Sequence, residues 1–356
     1  MLHLKDFLKV DKNIFMKIFF LLLLLCLSLF ASSDTERIWE KFKEQFIQQD
    51  GRIIDPYNGS ITHTESIGYT LYFSYMMNDK KTFQKIFLWS QKNIKKNNFG
   101  LPGWKWGENK IKKCWCTLDV TSASDANLWI VYSLYLMYEK TAYKPYKIEA
   151  DKMLSSIKKY QILSIENNHF LLPWEKNLLQ YTGLKLNPSY LLFEIFEYLA
   201  NYDQDKVWTK LIKSSILLLK QARFSSLELN PNWVIYNKTT KNYLLPKNNK
   251  YFGYDAIRIP LNIIRSDLPL KTKKELLQPY KRYIEMMKNT PLGIVELNRG
   301  DISLYNLSFG YLAVYSEVAK FFNIDSRMFQ KKLKVRIQQD DTNYYAYSLY
   351  LFTLLH

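Results

Sequence analysis

The feature that most constrains this chain is an apolar period of three to four residues that recurs about twelve times, with almost no competing strand signal. In Glu36 to Gln48, for example, Ile38, Trp39, Phe42 and Phe46 share one face, as an amphipathic helix requires. The same spacing predicts helices over Glu65 to Met77, Thr82 to Ile94, Asp125 to Tyr138, Tyr146 to Tyr160, Ser189 to Asn201 and Lys206 to Arg223. It continues through Ala256 to Arg265, Lys273 to Lys288, Leu304 to Phe322, Ser326 to Gln338 and Tyr344 to Leu355. Tyr236 to Leu245 reads as a short hairpin around Lys238 to Lys241, and Asn168 to Trp174 as a loop or short strand. Two helices per roughly fifty residues is too fine a division for a simple bundle. The chain is therefore expected to be all-α, with six helical hairpins closed into a barrel.

The first residues stand apart from that pattern. Ile18 to Phe30 is an apolar run broken only by Ser28 and preceded by Lys17, too short to span a bilayer comfortably. Ala31 and Ser33 occupy the −3 and −1 places of a small-residue cleavage site, so residues 1–33 read as a secretory signal, with Met16 as an alternative start. An uncleaved anchor is the competing reading, and both export the body. No Pro/Gly/Ser-rich linker divides residues 34–356, which are expected to form one domain, periplasmic or secreted, with no membrane insertion after cleavage.

The formal net charge of +17 invites a nucleic-acid partner, but the lysines are scattered along helical stretches and no zinc, helix-turn-helix or RNA-binding signature accompanies them. No nucleic acid is expected. Cys114 and Cys116 are the only cysteines beyond the leader, and a bond between them would close a small, strained ring. The four histidines are dispersed, which argues against a structural metal site.

Chemistry concentrates in three short segments at expected helix starts: HTESIGY at His63 to Tyr69, TSASDAN at Thr121 to Asn127 and YFGYDAIR at Tyr251 to Arg258. Acids at helix starts point into the loops that build a cleft, and several converging there suit acid/base hydrolysis. Local sequence leaves plainer roles open. Glu65 fits a first-turn acid favoured by the helix dipole, Asp125 and Ser124 fit a cap, and Asp255 with Arg258 fits a cap and helix-side ion pair. Trp104 and Trp106, two apart, would share a face of an extended segment.

With LPGWKWG at Leu101 to Gly107 and SASDANLWIVYSL at Ser122 to Leu134, these segments resemble the signature region of glycoside hydrolase family 8, inverting endoglycosidases on an (α/α)6 barrel. LNPSY at Leu186 to Tyr190, PNWVIY at Pro231 to Tyr236 and NYYAYSLYLF near the C-terminus keep the order. The resemblance spans about Glu36 to Phe352 and is greatest to the periplasmic endoglucanases that accompany bacterial cellulose synthases.

The resemblance implies Glu65 as general acid in an apolar, aromatic setting, and Asp255 as general base oriented by Arg258. It further implies Asp125 as the residue holding the sugar at the cleavage subsite, Tyr190 as a contact to water or sugar, and Trp104, Trp106 and Asn127 as substrate contacts, with Glu108 a weaker candidate. Inversion requires the two carboxyl groups roughly 6.5 to 9.5 Å apart. The implied activity is an endo-β-1,4-glucanase acting as a monomer without metal or organic cofactor, linked to a cellulose synthase. Chitosan, xylan or mixed-linkage glucan specificity, or a weakly active glycan-binding protein, are the alternatives. Asn127 stands where the family has a second Asp, Ser66 where it has Gly and Val131 where it has a small residue, which bears on substrate contacts more than on fold.

Overall fold

The computed structural model describes residues 33–176, 183–287, 290–303, 307–340 and 342–355. The expected leader lies outside the described residues except for Ser33, as do Lys288 and Leu304 at two expected helix ends. Ser33 belongs to the first helix. Its hydroxyl accepts from Glu36 N while Glu36 accepts from Ser33 N, a capping box that starts α1 (Asp34–Phe46).

Each expected helical stretch contains a helix among the described residues. These are α2 (Thr64–Met76), α3 (Lys80–Asn93), α4 (Ser124–Thr141), α5 (Lys144–Tyr160), α6 (Phe193–Tyr202), α7 (Lys206–Gln221), α8 (Arg258–Ile264), α9 (Leu270–Glu285), α10 (Phe309–Phe321), α11 (Arg327–Gln339) and α12 (Tyr344–Leu354). The even-numbered helices form a closed ring, α2 on α4, then α6, α8, α10, α12 and back to α2. Each odd-numbered helix packs outside against a ring helix, α1 on α12, α3 on α2, and so on round. This is the (α/α)6 barrel.

The two layers differ in which residues they bury. Inner α2 is buried continuously from Ser66 to Ser74 and α4 from Ser124 to Tyr135, because neighbours surround them on all sides. Outer α3 buries a stripe of Phe83, Ile86, Phe87 and Trp89, and α11 only Phe329 and Leu333. Close packing of the ring needs small residues. A Cβ on Gly68 would lie 2.7 Å from Trp129 Cβ, and one on Gly310 would lie 2.7 Å from Ala346 Cα.

Strands are short and confined to loops. β1 (Thr62–His63), β2 (Lys105–Asn109) and β3 (Cys114–Asp119) make one antiparallel sheet. β4 (Ile162–Ile165) pairs with β5 (Asn168–Leu171), which extends the expected short strand into a hairpin. β6 (Leu184–Leu186), β7 (Val234–Tyr236) and β8 (Tyr243–Leu244) form a second three-stranded sheet, whose β7–β8 pair is the expected hairpin. β9 (Tyr251–Phe252), β10 (Val295–Glu296) and β11 (Asp301–Ile302) form a third. On β3, Cys114 and Cys116 are joined by a disulfide, with Cα atoms 5.8 Å apart.

Two expected boundaries move for a local reason. The stretch beginning at Ser189 opens with a 3-10 turn, Pro188–Tyr190, in which Asn187 Oδ1 accepts from Ser189 N, and α6 starts only at Phe193. Before α8, Asn232 Oδ1 accepts from both Gly253 N (3.0 Å) and Ala256 N (2.9 Å). That bond pair holds Asp255 in a turn ahead of the helix.

Candidate active site

The starts of α2, α4 and α8, with the 3-10 turn before α6, gather at one end of the ring. Helix N-termini carry partial positive charge, so this end favours carboxylates. Glu65 stands in the first turn of α2, Asp125 in the first turn of α4, and Asp255 one turn before Arg258 opens α8.

Arg258 draws them together. Its Nη1 donates to Glu65 Oε2 at 2.5 Å, Tyr69 OH at 2.8 Å and Asp125 Oδ2 at 3.2 Å. Its Nη2 donates to Ser189 Oγ at 2.9 Å and Asp255 Oδ1 at 3.3 Å. Tyr190 lies beneath the guanidinium, its ring centroid 5.6 Å from the central carbon. Burial works against the arginine's charge, but the facing Tyr69, Glu65 and Asp125 groups outweigh it and hold Arg258 well above its ordinary value.

Three carboxylates on one guanidinium leave negative charge in excess, and the excess is distributed unequally by burial. The Asp125 side chain is 2% exposed, Glu65 22% and Asp255 34%, so water screens Asp125 least. Burial and then the Glu65 charge push Asp125 up to about 7, with Arg258 opposing. Burial, with the Glu65 charge, raises Asp255 above its ordinary value although Arg258 and hydrogen bonding from Trp233 and Asn187 oppose it. Asp125 therefore keeps a proton in the cluster far more readily than an ordinary carboxyl does.

Several expected placements need correction. Glu65 does not sit in a purely apolar setting, since a guanidinium touches it. Arg258 spans all three acids and is not dedicated to Asp255. Asn127 is fully buried and faces away from the cleft, because two residues along a helix turn the side chain through about 200° from Asp125. Its amide donates to Gln161, which donates to Ser122, which donates to Glu175, a buried chain that anchors the start of α4. No side chain caps α4, and Asp125 Oδ1 accepts only from Ala126 N.

Trp104 and Trp106 have different surroundings, Trp104 just ahead of β2 and Trp106 within it, where the pairing with β3 shifts by one residue at Leu118. Trp104 is half-buried at the mouth of the site, its indole on Asp119 and its carbonyl accepting from Thr64 N beside Glu65. Trp106 is 6% exposed, edge-on to Trp89 and covered by Arg52. It is a core residue. Glu108 is exposed on the hairpin opposite Trp115.

Sequence reading missed Tyr69, Ser189, Asn187 and Trp233. Tyr69 stands four residues after Glu65 on the same helix face, a spacing that could have flagged it. Trp233 precedes β7, edge-on to Tyr190 at 6.2 Å and stacked on Trp174 at 5.9 Å, with Lys185 Nζ 4.5 Å from its ring. Only the fold brings these segments beside Asp255.

Known proteins share this architecture. An endoglucanase from Cellulomonas uda is 28% identical over 280 residues, covering 78% of this chain and 75% of that enzyme. An endoglucanase from Salmonella typhi is 30% identical over 230 residues, covering 63% of this chain and 60% of the other. A family 8 endo-β-1,4-glucanase from an Achatina fulica gut metagenomic library superposes with a TM-score of 0.77 at 25% identity, covering 92% of this chain and 97% of that one. The endo-β-1,4-glucanase CMCax from Acetobacter xylinum shares the fold at a TM-score of 0.79 and 23% identity, covering 90% and 97%. The pattern for glycosyl hydrolases family 8 runs through residues 12–356, so the acids gathered at one end of the helical ring stand in a known framework, and the chain belongs to that family.

Proposed function

We propose that this protein is an inverting endo-β-1,4-glucanase that cleaves a cellulose-type chain lying across the Arg258 cluster. The observation that carries the reading is that three carboxylates from separate segments meet on one buried guanidinium, two of them reachable by solvent. Glu65 gives a proton to the glycosidic oxygen, so the leaving sugar departs as an alcohol. Asp255 takes a proton from water, which attacks the anomeric carbon from the opposite face and inverts it. Balance is complete, with one water consumed and one proton passed in at Glu65 and out at Asp255. Glu65 and Asp255 bind different nitrogens of Arg258, Nη1 and Nη2, and inversion by this scheme needs the attacking water between their carboxyl groups.

Asp125, the deepest of the three, holds the sugar at the cleavage point, and because the Glu65 charge helps to raise it, the two carboxyls share one proton, which Glu65 delivers. Tyr190 bounds the water side and Trp104 offers a flat apolar surface to a neighbouring glucose. The endoglucanase names of the relatives from Cellulomonas and Salmonella support β-1,4-glucan as substrate. Export through the N-terminal apolar segment, action as a monomer and service to a cellulose synthase belong to the same proposal.

The test is hydrolysis of carboxymethylcellulose by the wild type, Glu65→Gln and Asp255→Asn proteins, with the product anomer followed by NMR. Losses of about a thousandfold or more in both variants and an α-anomer product are expected. Full activity in either variant, or a β-anomer product, defeats the assignment.

A further inference from the structure

The segment that presents Glu65 is secured by a device that the reaction scheme does not use. The cap of α2 is His63, an unusual residue at a position where Ser, Thr, Asp and Asn predominate. Its Nδ1 accepts from Ser66 N at 3.1 Å, so this nitrogen carries no proton and Nε2 carries it. Nε2 faces Asp55 Oδ2 at 3.4 Å. Asp55 is 4% exposed and accepts from Asn58 Nδ2 at 2.5 Å. Burial opposes its charge, yet His63 and Asn58 together hold Asp55 below its ordinary value.

Ser66 closes the clasp from the other side, its hydroxyl donating to His63 O at 2.6 Å. This gives the departure from glycine at position 66 a physical reason. The His63 backbone pairs with Lys105 on β2, and its ring meets the edge of Tyr344 on α12 at 5.5 Å. The imidazole is thereby fixed from the Asp55 loop, the sheet, α2 and α12.

We infer that His63, held in one tautomer by Asp55, is a positioning residue that fixes Glu65 for proton donation. Glu65 lies between the two ends of the clasp, in the turn whose amide His63 caps. Misplacing a catalytic group by about 1 Å can cost on the order of a hundredfold in rate. The inference rests on the reading of Glu65 as the acid.

His63→Phe keeps the ring volume and removes both nitrogens, whereas His63→Asn keeps an acceptor for Ser66 N. On soluble β-1,4-glucan, His63→Phe should lower kcat by about tenfold or more with KM unchanged, and His63→Asn should recover most of it. On 2,4-dinitrophenyl β-cellotrioside, whose leaving group needs no proton, both His63→Phe and Glu65→Gln should lose far less than they lose on glucan. A merely structural loss would lower both substrates equally, and that result overturns the proposal, as does equal behaviour of the Phe and Asn variants. If Glu65→Gln keeps its glucan activity, the acid assignment fails and this proposal falls with it. If Glu65→Gln is inactive on glucan while His63→Phe is unimpaired, only the role of His63 fails. Should His63→Phe not fold, Ser66→Ala gives the same reading on a smaller scale, with kcat on glucan reduced about threefold, aryl-glycoside turnover intact and loss of neither counting against the proposal.

Discussion

Helix α8 carries a buried arginine at each end, and the two have opposite fates. Arg258 at its N-terminus meets three carboxylates, whereas Arg265 just past its C-terminus meets one. Arg265 Nε and Nη2 grip Glu194 at 3.0 and 3.1 Å, Nη2 reaches Tyr72 OH at 2.6 Å, and Nη1 donates to Phe352 O and Leu355 O at the end of α12. There the guanidinium meets a balanced charge and the electronegative end of a helix, a stable arrangement that closes the ring where the chain returns. At the other end acids outnumber the base among helix N-termini, so protons remain to be moved. The same residue type is structural where its charges balance and reactive where they do not.

Replacing each arginine by methionine sharpens this contrast most. Arg258→Met should lose about a thousandfold in glucan hydrolysis, with a stability deficit that deepens as pH rises and the stranded carboxylates ionise. Arg265→Met should cost about 3 kcal/mol in chemical denaturation, at the lower end of what a broken buried pair costs because Glu194 is partly exposed. Its kcat below the melting transition should stay near wild type. Inactivity of folded Arg265→Met would erase the distinction between the two ends.

The next effect is smaller and depends on pH. Asp125 has a folded pKa of about 7 against an ordinary 3.8. Between those values the native state keeps a proton that the unfolded chain releases, so this group lowers stability progressively as pH rises through the window. The penalty is complete above about pH 7 and absent below about pH 4. Asp125→Asn should therefore gain stability over wild type from pH 4 to 7, then hold a constant margin, while losing activity throughout. Denaturant melts across that range check it, and a margin that shrinks with rising pH would refute the excess-acid account.

What could be read in the chain beforehand follows the range of the interactions. Helical periodicity is local, and the twelve helices among the described residues are visible in it, from the stripe of Trp39, Phe42 and Phe46 to the aromatic run of α12. The Asp255–Arg258 pair is also local, three residues apart. The bonds from Arg258 to Glu65 and Asp125 cross 193 and 133 residues, and no spacing rule reaches so far. Resemblance located those acids, but not the shared guanidinium. Motif matching failed where geometry intervened: the helical twist turned Asn127 into the core, and packing against Trp89 and Arg52 buried Trp106 while Trp104 stayed half-buried. Arg265, Glu194 and Tyr72 carried no signal, because their pairing exists only once the ring closes.

The finest test compares one hydroxyl partner of each arginine. Ser189 is fully buried and accepts from Arg258 Nη2, and Tyr72 is 3% exposed and accepts from Arg265 Nη2. Deleting either hydroxyl, by Ser189→Ala or Tyr72→Phe, should cost about 2 kcal/mol, since each removes the bond accepted from the arginine and a second that the hydroxyl donates, to Asn187 Oδ1 or to Glu194 Oε1, and leaves the guanidinium other partners. Stability alone cannot tell the two apart. Activity can, because Ser189 fixes the nitrogen that also holds Asp255, so its loss lets the base shift and should lower kcat several-fold. Tyr72→Phe loosens a contact at the far end of the ring and should leave kcat unchanged. Equal losses of kcat in the two variants would mean that the ends of α8 are mechanically coupled, and that charge excess is not what separates the reactive arginine from the structural one.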